Sequence, residues 1–173
     1  MEQKKDNIIL IGFMGCGKTS VGIKLSYRLK QTFLDTDKQI EKKQGRSIRE
    51  IFASDGEAAF RQMETECIKE LLAGTGNSKQ IFSTGGGTPV KEENRELLKR
   101  LGTVVYLKVS PEVVYERLKG DTSRPLLQTD NPKGRIEELL GSRKEAYESA
   151  ADIIIEVDNK SLEEVVEEIK ENL

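Results

Sequence analysis

The sequence predicts an α/β fold in which helices cover both faces of a parallel sheet. Strand-like apolar runs alternate along the chain with helical segments, an order typical of such folds. Continuous β-branched runs such as Ile153-Ile154-Ile155 fit strands that are buried on both sides. The five predicted strands cover residues 7–11, 32–34, 80–83, 103–109 and 152–157.

Length and composition narrow the class of protein. The 173 residues fit a single domain, 1–173, with a substantial core. A net charge of −2 provides no basic field for nucleic acid or an anionic membrane. No apolar run approaches membrane-spanning length, and the first six residues lack the apolar region of a signal peptide.

Cysteine and histidine usage indicates the compartment and the chemistry. Two cysteines, Cys16 and Cys67, are too few for a disulfide framework or a zinc cluster, so we expect a reduced, cytoplasmic setting. The chain has no histidine, which excludes His-based triads and most zinc enzymes. Acid–base or metal chemistry must therefore use carboxylates, hydroxyls or lysine.

The first strand leads into a phosphate-binding loop. Residues 12–19, Gly-Phe-Met-Gly-Cys-Gly-Lys-Thr, match the pattern G-x-x-x-x-G-K-[ST]. The apolar run 7–11 precedes them, and Val21, Leu25 and Leu29 follow at the spacing of one helical face. Strand, glycine loop and helix in this order are the context that the motif requires.

Each fixed letter of that pattern has a physical role. Glycines allow successive backbone N–H groups to point at an anion, and the helix N-terminus adds its positive dipole end. Lys18 supplies a cation for the β- and γ-phosphates, and the Thr19 hydroxyl supplies a hard oxygen for Mg²⁺. The loop therefore predicts a nucleoside triphosphate site.

Two carboxylates, Asp35 and Asp37, follow the second strand. Ligands of such folds bind at the carboxyl edge of the sheet, where one carboxylate could reach Mg²⁺ through water and the other could accept hydrogen bonds from substrate hydroxyls. A helix N-cap with an acidic first turn explains the same residues equally well. The sequence alone leaves both interpretations open.

The next helices have recognisable starts and one apolar stripe. Residues 47–50 and 161–164 form capping boxes, and Ser110-Pro111 indicates an N-cap followed by the first helical residue. The acidic outer face of the last helix, 161–172, is expected to be solvated. The helix over 60–72 carries one stripe that should be core: Phe60, Met63, Cys67 and Leu71.

Three later clusters carry polar chemistry. Arg61 lies in the segment 56–64, where an ordinary ion pair with Glu57 or Glu64 in solvent is the alternative to ligand binding. Three glycines, 85–87, directly follow the third strand and invite close approach of a ligand to the backbone. Arg124 lies in a polar, proline-containing segment, 119–133, that we interpret as a lid.

The absence of certain motifs excludes two other classes of protein that contain this loop. The chain has neither the D-x-x-G nor the N-K-x-D pattern of GTPases, and it lacks the apolar run ending in Asp-Glu of motor ATPases. A kinase acting on a small metabolite is favoured.

Taken together, these segments resemble the shikimate kinase family, ATP-dependent enzymes of aromatic amino-acid biosynthesis that phosphorylate the shikimate 3-hydroxyl. Cys16 stands where the family more often has Ser or Ala, and it could make the loop sensitive to thiol reagents. The matching segments are 12–19, 34–37, 56–64, 83–87, 124–127 and Arg143 with Tyr147, in the family's order over nearly the whole chain.

The resemblance implies a three-layer P-loop fold with strand order 2-3-1-4-5, with ATP and one Mg²⁺ as cofactors. The implied catalytic residues are Lys18, Asp37 and Arg124. ATP would be bound by Gly15, Cys16, Gly17, Lys18, Thr19, Ser20, Arg117 and Arg124. Shikimate would be bound by Asp37, Arg61, Gly85, Gly86, Gly87 and Arg143, and the metal by Thr19 and, through water, Asp35.

The same resemblance implies a shikimate-binding segment at about 35–62, a lid at about 119–133, and a monomer without nucleic-acid or membrane partners. Whether Asp37 is a general base or only positions the acceptor is open, because a metaphosphate-like transition state demands little early proton transfer. Two alternatives are a related kinase acting on gluconate or a nucleoside monophosphate, and a regulatory nucleotide-binding module without catalysis.

Overall fold

In a computed structural model of the chain, residues 6–74, 79–121 and 128–173 are described. Five strands form one sheet with neighbouring strands parallel, in the order β2-β3-β1-β4-β5. The predicted fold class and strand order are confirmed. The strands are β1 Asn7–Ile11, β2 Thr32–Asp35, β3 Gln80–Ser83, β4 Gly102–Lys108 and β5 Ile153–Glu156, so the predicted bounds of β2, β4 and β5 were wrong by one residue at one or both ends.

Helices connect consecutive strands, as the crossover connections of a parallel sheet require. Within the described ranges they are α1 Lys18–Leu29, α2 Thr36–Gln44, α3 Ile48–Asp55, α4 Glu57–Gly74, α5 Glu92–Leu101, α6 Pro111–Leu118, α7 Pro132–Ala150 and α8 Leu162–Asn172. A short 3₁₀ turn, Thr88–Val90, follows β3. In the part of the chain that is described, no helix combines the length and apolarity that a membrane crossing would need.

The central strand β1 is buried along its whole length, as expected for a strand covered on both faces. A second, smaller core lies beneath α2, α3 and α4 and includes the predicted stripe of α4. It places Cys67 among apolar side chains, where burial raises the pKa of its thiol to about 11. The interpretation of Cys67 as a core residue is therefore supported.

Serine caps begin three of the helices. The side chain of Ser110 accepts a hydrogen bond from the Val113 N–H, and Ser161 forms the full reciprocal box with Glu164. Ser47 accepts from the backbone of Glu50, which is the serine half of the capping box predicted there. The predicted helix starts after these three serines are confirmed.

The acidic face of α8 is not simply solvated, and that expectation was wrong in part. Glu163 pairs with Lys24 at 2.6 Å and with Arg28, and Glu167 pairs with Arg28 at 2.6 Å. These side chains are partly exposed, so each pair contributes at most about 1 kcal/mol. The pairs attach α8 to α1, the helix that follows the glycine loop.

The order of the strands brings three polar segments to one edge of the sheet. The glycine loop follows β1, the three glycines follow the adjacent β3, and Asp35 ends β2. Because parallel strands end at the same edge, these segments surround one crevice.

Candidate active site

The segment 12–19 wraps tightly between β1 and α1. Gly15 and Gly17 have φ angles of 79° and 96°, which lie in the left-handed region that side chains other than glycine rarely adopt. Phe13 is buried beneath the loop. The backbone conformation therefore explains the glycines of the motif.

Lys18 lies against the loop that it follows. Its Nζ donates to the carbonyl oxygens of Gly12 at 2.6 Å and Phe13 at 3.2 Å, and it lies 3.6 Å from Cys16 Sγ. Cys16 is 2% exposed. A thiol reagent could reach this sulfur only by displacing the loop, so burial argues against the sensitivity expected from the sequence.

A polar cavity of about 330 Å³ opens beside the loop. It joins the phosphate-binding loop to the ends of β2 and β3. Its lining includes Lys18, Thr19, Ser20, Asp35, Asp37, Gly85 and Gly86.

Asp35 caps a helix and faces this cavity at the same time. Its Oδ1 accepts from the N–H groups of Asp37 at 2.9 Å and Lys38 at 3.4 Å, which is N-capping geometry for α2. The two interpretations of Asp35 are thus compatible, since a carboxylate accepts several hydrogen bonds.

The donors in the cavity fit magnesium chemistry. Hard oxygens from Thr19, Asp35 and Asp37 line the same space. The described ranges contain no group of three or more acidic or cysteine side chains that could enclose a metal. A site with few protein oxygens suits Mg²⁺, which keeps several waters and shares phosphate oxygens.

Asp37 carries an unsatisfied, buried acceptor. Its Oδ1 has no hydrogen-bond partner among the described residues. Burial is the main reason that the pKa of this carboxyl rises from 3.8 to about 6, and the negative charges of Asp35 and Glu64 raise it further. A buried polar atom without a partner indicates a position for a ligand donor.

Arg61 lies against the glycine turn that follows β3. Its Nη1 donates to Glu64 at 2.7 Å and its Nη2 to Glu57 at 3.3 Å. Both ion pairs considered from the sequence therefore exist, but Glu64 is only 2% exposed rather than solvated. A Cβ at Gly87 would lie 2.4 Å from Arg61 Nη1, so the guanidinium is packed directly against the turn.

Arg143 also lies against this turn. Its guanidinium carbon is 5.7 Å from the centre of the Phe13 ring, and Nη1 would lie 3.3 Å from a Cβ at Gly86. One helical turn later, the buried Tyr147 donates its hydroxyl to the Gly86 carbonyl at 2.6 Å. Two guanidinium groups thus pack against the same glycine turn, an arrangement suited to a carboxylate ligand.

Sequence reasoning missed a buried polar network behind the turn. The Thr88 hydroxyl donates to Glu64, Asn94 Nδ2 donates to the Thr88 carbonyl at 2.9 Å, and Thr65 donates to Asn94 Oδ1 at 2.7 Å. Asn94 could have been found, because it lies on the otherwise apolar buried stripe of α5. Nothing in the sequence indicates the partner of Thr88, which is 24 residues away along the chain.

A second cavity, of about 390 Å³, lies beyond the loop. Arg117, the residue that the resemblance places at adenine, donates to the Gly15 carbonyl at 2.7 Å on its edge. Lys160 and Leu162, which sequence reasoning did not single out, also line it. Arg124 and the segment 122–127 lie outside the described residues.

Comparisons with known proteins indicate one family. A family model described as shikimate kinase matches residues 14–173. The shikimate kinase of Symbiobacterium thermophilum is 43% identical over 169 residues, covering 96% of this chain and 95% of that protein. The shikimate kinase of Thermodesulfovibrio yellowstonii is 47% identical over 163 residues, covering 94% and 92%.

Solved structures lead to the same family. The shikimate kinase of Acinetobacter baumannii in complex with shikimate superposes with a TM-score of 0.88 at 38% identity, covering 97% of this chain and 92% of that one. The shikimate kinase of Aquifex aeolicus gives a TM-score of 0.78 at 38% identity, covering 96% and 94%. The chain therefore belongs to the shikimate kinase family.

Proposed function

We propose that the chain transfers the γ-phosphoryl group of ATP to the 3-hydroxyl of shikimate, giving shikimate 3-phosphate and ADP. One observation carries the proposal: a single cavity joins the triphosphate loop to Asp37, whose Oδ1 is unpaired, and to the glycine turn against which two guanidinium groups pack. The relative from Acinetobacter baumannii, solved with shikimate, covers 97% of this chain.

The nucleotide half of the proposal uses the glycine loop and the cavity beyond it. Backbone N–H groups of 15–20 would hold the phosphates, and adenine would lie in the cavity lined by Arg117, Lys160 and Leu162. On binding, Lys18 would exchange its loop carbonyls for phosphate oxygens.

One Mg²⁺ would complete the nucleotide site, with Thr19 as a direct ligand and Asp35 as a ligand through water. When bound, the ion neutralises charge on the β- and γ-phosphates. Asp35 remains the cap of α2 in this arrangement, because its Oδ1 makes the capping bonds and its second oxygen can accept from water.

The acceptor half would hold shikimate by its carboxylate and its hydroxyls. Arg61 and Arg143 would bind the carboxylate, with Gly85, Gly86 and Gly87 lining the pocket. Charge-assisted hydrogen bonds of this kind contribute about 1.5–3 kcal/mol each. Asp37 Oδ1 would accept from the hydroxyl that reacts.

In the reaction, the shikimate oxygen forms a bond to the γ-phosphorus while the bond from that phosphorus to the β–γ bridging oxygen breaks. ADP leaves with the electron pair, and Asp37 takes the hydroxyl proton. A pKa of about 6 keeps this carboxylate ionised at neutral pH and basic enough to accept a proton. Arg124, on the proposed lid at about 119–133, would neutralise charge on the transferred group.

We also propose that the enzyme works as a cytoplasmic monomer without nucleic-acid or membrane partners. The net charge of −2 and two free, buried cysteines support this setting. Light scattering after gel filtration tests the monomer, and a dimer at micromolar concentration would contradict it.

An acceptor panel tests the activity. ADP release is measured with shikimate, gluconate, nucleoside monophosphates and no acceptor, and we expect shikimate to exceed the others by orders of magnitude because wrong ligands leave buried polar groups unpaired. Arg143→Ala should raise the KM for shikimate, whereas Lys144→Ala, which removes the neighbouring exposed cation, should not. Transfer to gluconate or a nucleotide instead would establish the alternative kinase, and ATP binding without transfer would establish the regulatory module.

A further inference from the structure

A buried hydroxyl stands behind the proposed carboxylate site. Thr88 is 1% exposed and donates to Oε2 of Glu64, which is itself 2% exposed. The other oxygen, Oε1, accepts from Arg61 Nη1 at 2.7 Å. Each oxygen of this buried carboxylate therefore has its own partner.

We propose that Thr88 is a positioning residue, which sets the direction of the Arg61 guanidinium by occupying one oxygen of Glu64. The inference rests on the proposed shikimate activity and adds to it a determinant of acceptor affinity. Thr88 itself does not line the cavity beside the loop, so it acts through Glu64.

The reasoning follows from the geometry of guanidinium–carboxylate pairs. A free carboxylate prefers to take an arginine by both oxygens in a parallel fork. With Thr88 on Oε2, Glu64 accepts from Arg61 through Oε1 alone. Glu57 accepts from Nη2, and the other N–H groups of Arg61 stay available. Without that hydroxyl, Glu64 would rotate to hold Arg61 by both oxygens and withdraw donors from the ligand.

The turn that carries Thr88 is itself fixed from behind. Asn94 donates to the Thr88 carbonyl at 2.9 Å and accepts from the Thr65 hydroxyl at 2.7 Å, and both side chains are at most 1% exposed. Thr65 and Glu64 are adjacent on α4, so the network ties the turn and Glu64 to the same helix. This explains how a hydroxyl after β3 can be held in register with a carboxylate on α4.

The test is the steady-state kinetics of Thr88→Val, which removes the hydroxyl and keeps the shape. We expect the KM for shikimate to rise about tenfold, the fold-change that matches loss of one buried hydrogen bond to a charged group. The kcat and the KM for ATP should stay near those of the wild type. Thr88→Ser, which retains the hydroxyl, should restore the KM for shikimate.

A double-mutant cycle separates positioning from a general loss of structure. In an Arg61→Ala background, Thr88→Val should have no further effect on the KM for shikimate, because the group that it positions is gone. The control variant Thr103→Val makes the same replacement in β4. It should leave kcat and the KM values for ATP and shikimate unchanged. Asn94→Ala removes the hydrogen bond that holds the Thr88 carbonyl and so weakens the contact between the Thr88 hydroxyl and Glu64. It should raise only the KM for shikimate and gives a second measurement if Thr88→Val does not fold.

The outcomes distinguish this inference from the proposed function. A wild-type enzyme without shikimate kinase activity would refute the proposed function. If the wild type is active but Thr88→Val leaves the KM for shikimate unchanged, the positioning role is overturned. If Thr88→Val does not fold, the same result with Asn94→Ala overturns it. Equal losses toward ATP and shikimate, or full additivity with Arg61→Ala, would also overturn it and show that Thr88 only supports the fold.

Discussion

Replacing Asp37 with asparagine should make the protein more stable while it damages the site. Asp37→Asn removes a carboxylate whose pKa burial raises from 3.8 to about 6. At neutral pH the wild type therefore carries a negative charge on Asp37 that is less favourable in the folded state than in the unfolded chain. Asparagine has nearly the same shape without that charge.

The magnitude follows from the linkage between pKa and folding. One pKa unit corresponds to about 1.4 kcal/mol, so a rise from 3.8 to about 6 destabilises the folded wild type by up to about 3 kcal/mol once Asp37 is ionised. The folded state binds the proton of the Asp37 carboxyl more tightly than the unfolded chain does. The stability that this proton contributes is therefore fully present below about pH 4 and is lost as the pH rises to about 6. For a chain of this length, 3 kcal/mol corresponds to roughly 6–12 °C in Tm.

Urea unfolding of both proteins at a series of pH values between 4 and 8 measures this difference. We expect Asp37→Asn to be more stable than the wild type at pH 7.5, with an advantage that shrinks toward pH 4. Asp35→Asn is not a suitable control because Asp35 caps α2, whereas exposed Glu145→Gln changes the same charge without burial. A variant no more stable than the wild type at pH 7.5, or an advantage that does not depend on pH, would refute the reasoning.

Three further predictions concern activity. The kcat/KM for shikimate should fall as the pH drops below about 6, because Asp37 becomes protonated. Asp37→Asn should abolish this pH dependence and most of the turnover, with little change in the affinity for ATP. Equal losses of kcat/KM for both substrates would contradict the role of Asp37. Gly87→Ala should keep the fold but displace the Arg61 guanidinium, 2.4 Å from the new Cβ, and raise the KM for shikimate at least about tenfold, whereas Gly141→Ala, with open space around it, should not. Arg124→Ala should lower kcat by on the order of 10³ with a modest effect on shikimate binding, and an unchanged kcat would reject its role.

The architecture could be predicted because it depends on local patterns. The run 7–11, the glycine loop and the apolar stripe of α4 each specify an element within a few residues, and the structure confirms them. The two explanations offered for Asp35 also had a local origin. The structure shows that capping and exposure to the cavity occur together.

The contacts between distant residues could not be predicted. Whether Glu64 is solvated or buried depends on how α4 packs against the turn after β3, and no spacing within α4 records that contact. The partners of α8 were missed for the same reason, because Lys24 and Arg28 face it only after the sheet has formed. Periodicity identifies which face of an element is buried, but not which polar group it will meet.

The burial of Asp37 explains how this crevice can be selective for its ligand and also lower the stability of the folded protein. Asp37 Oδ1 is desolvated before any ligand arrives, so the folded protein already bears the unfavourable free energy. A ligand whose hydroxyl donates a hydrogen bond to this oxygen recovers part of that free energy, whereas a ligand without the hydroxyl leaves a buried acceptor unpaired. The same oxygen that weakens the free protein therefore discriminates between acceptors, and a variant that relieves its burial should gain stability and lose selectivity together.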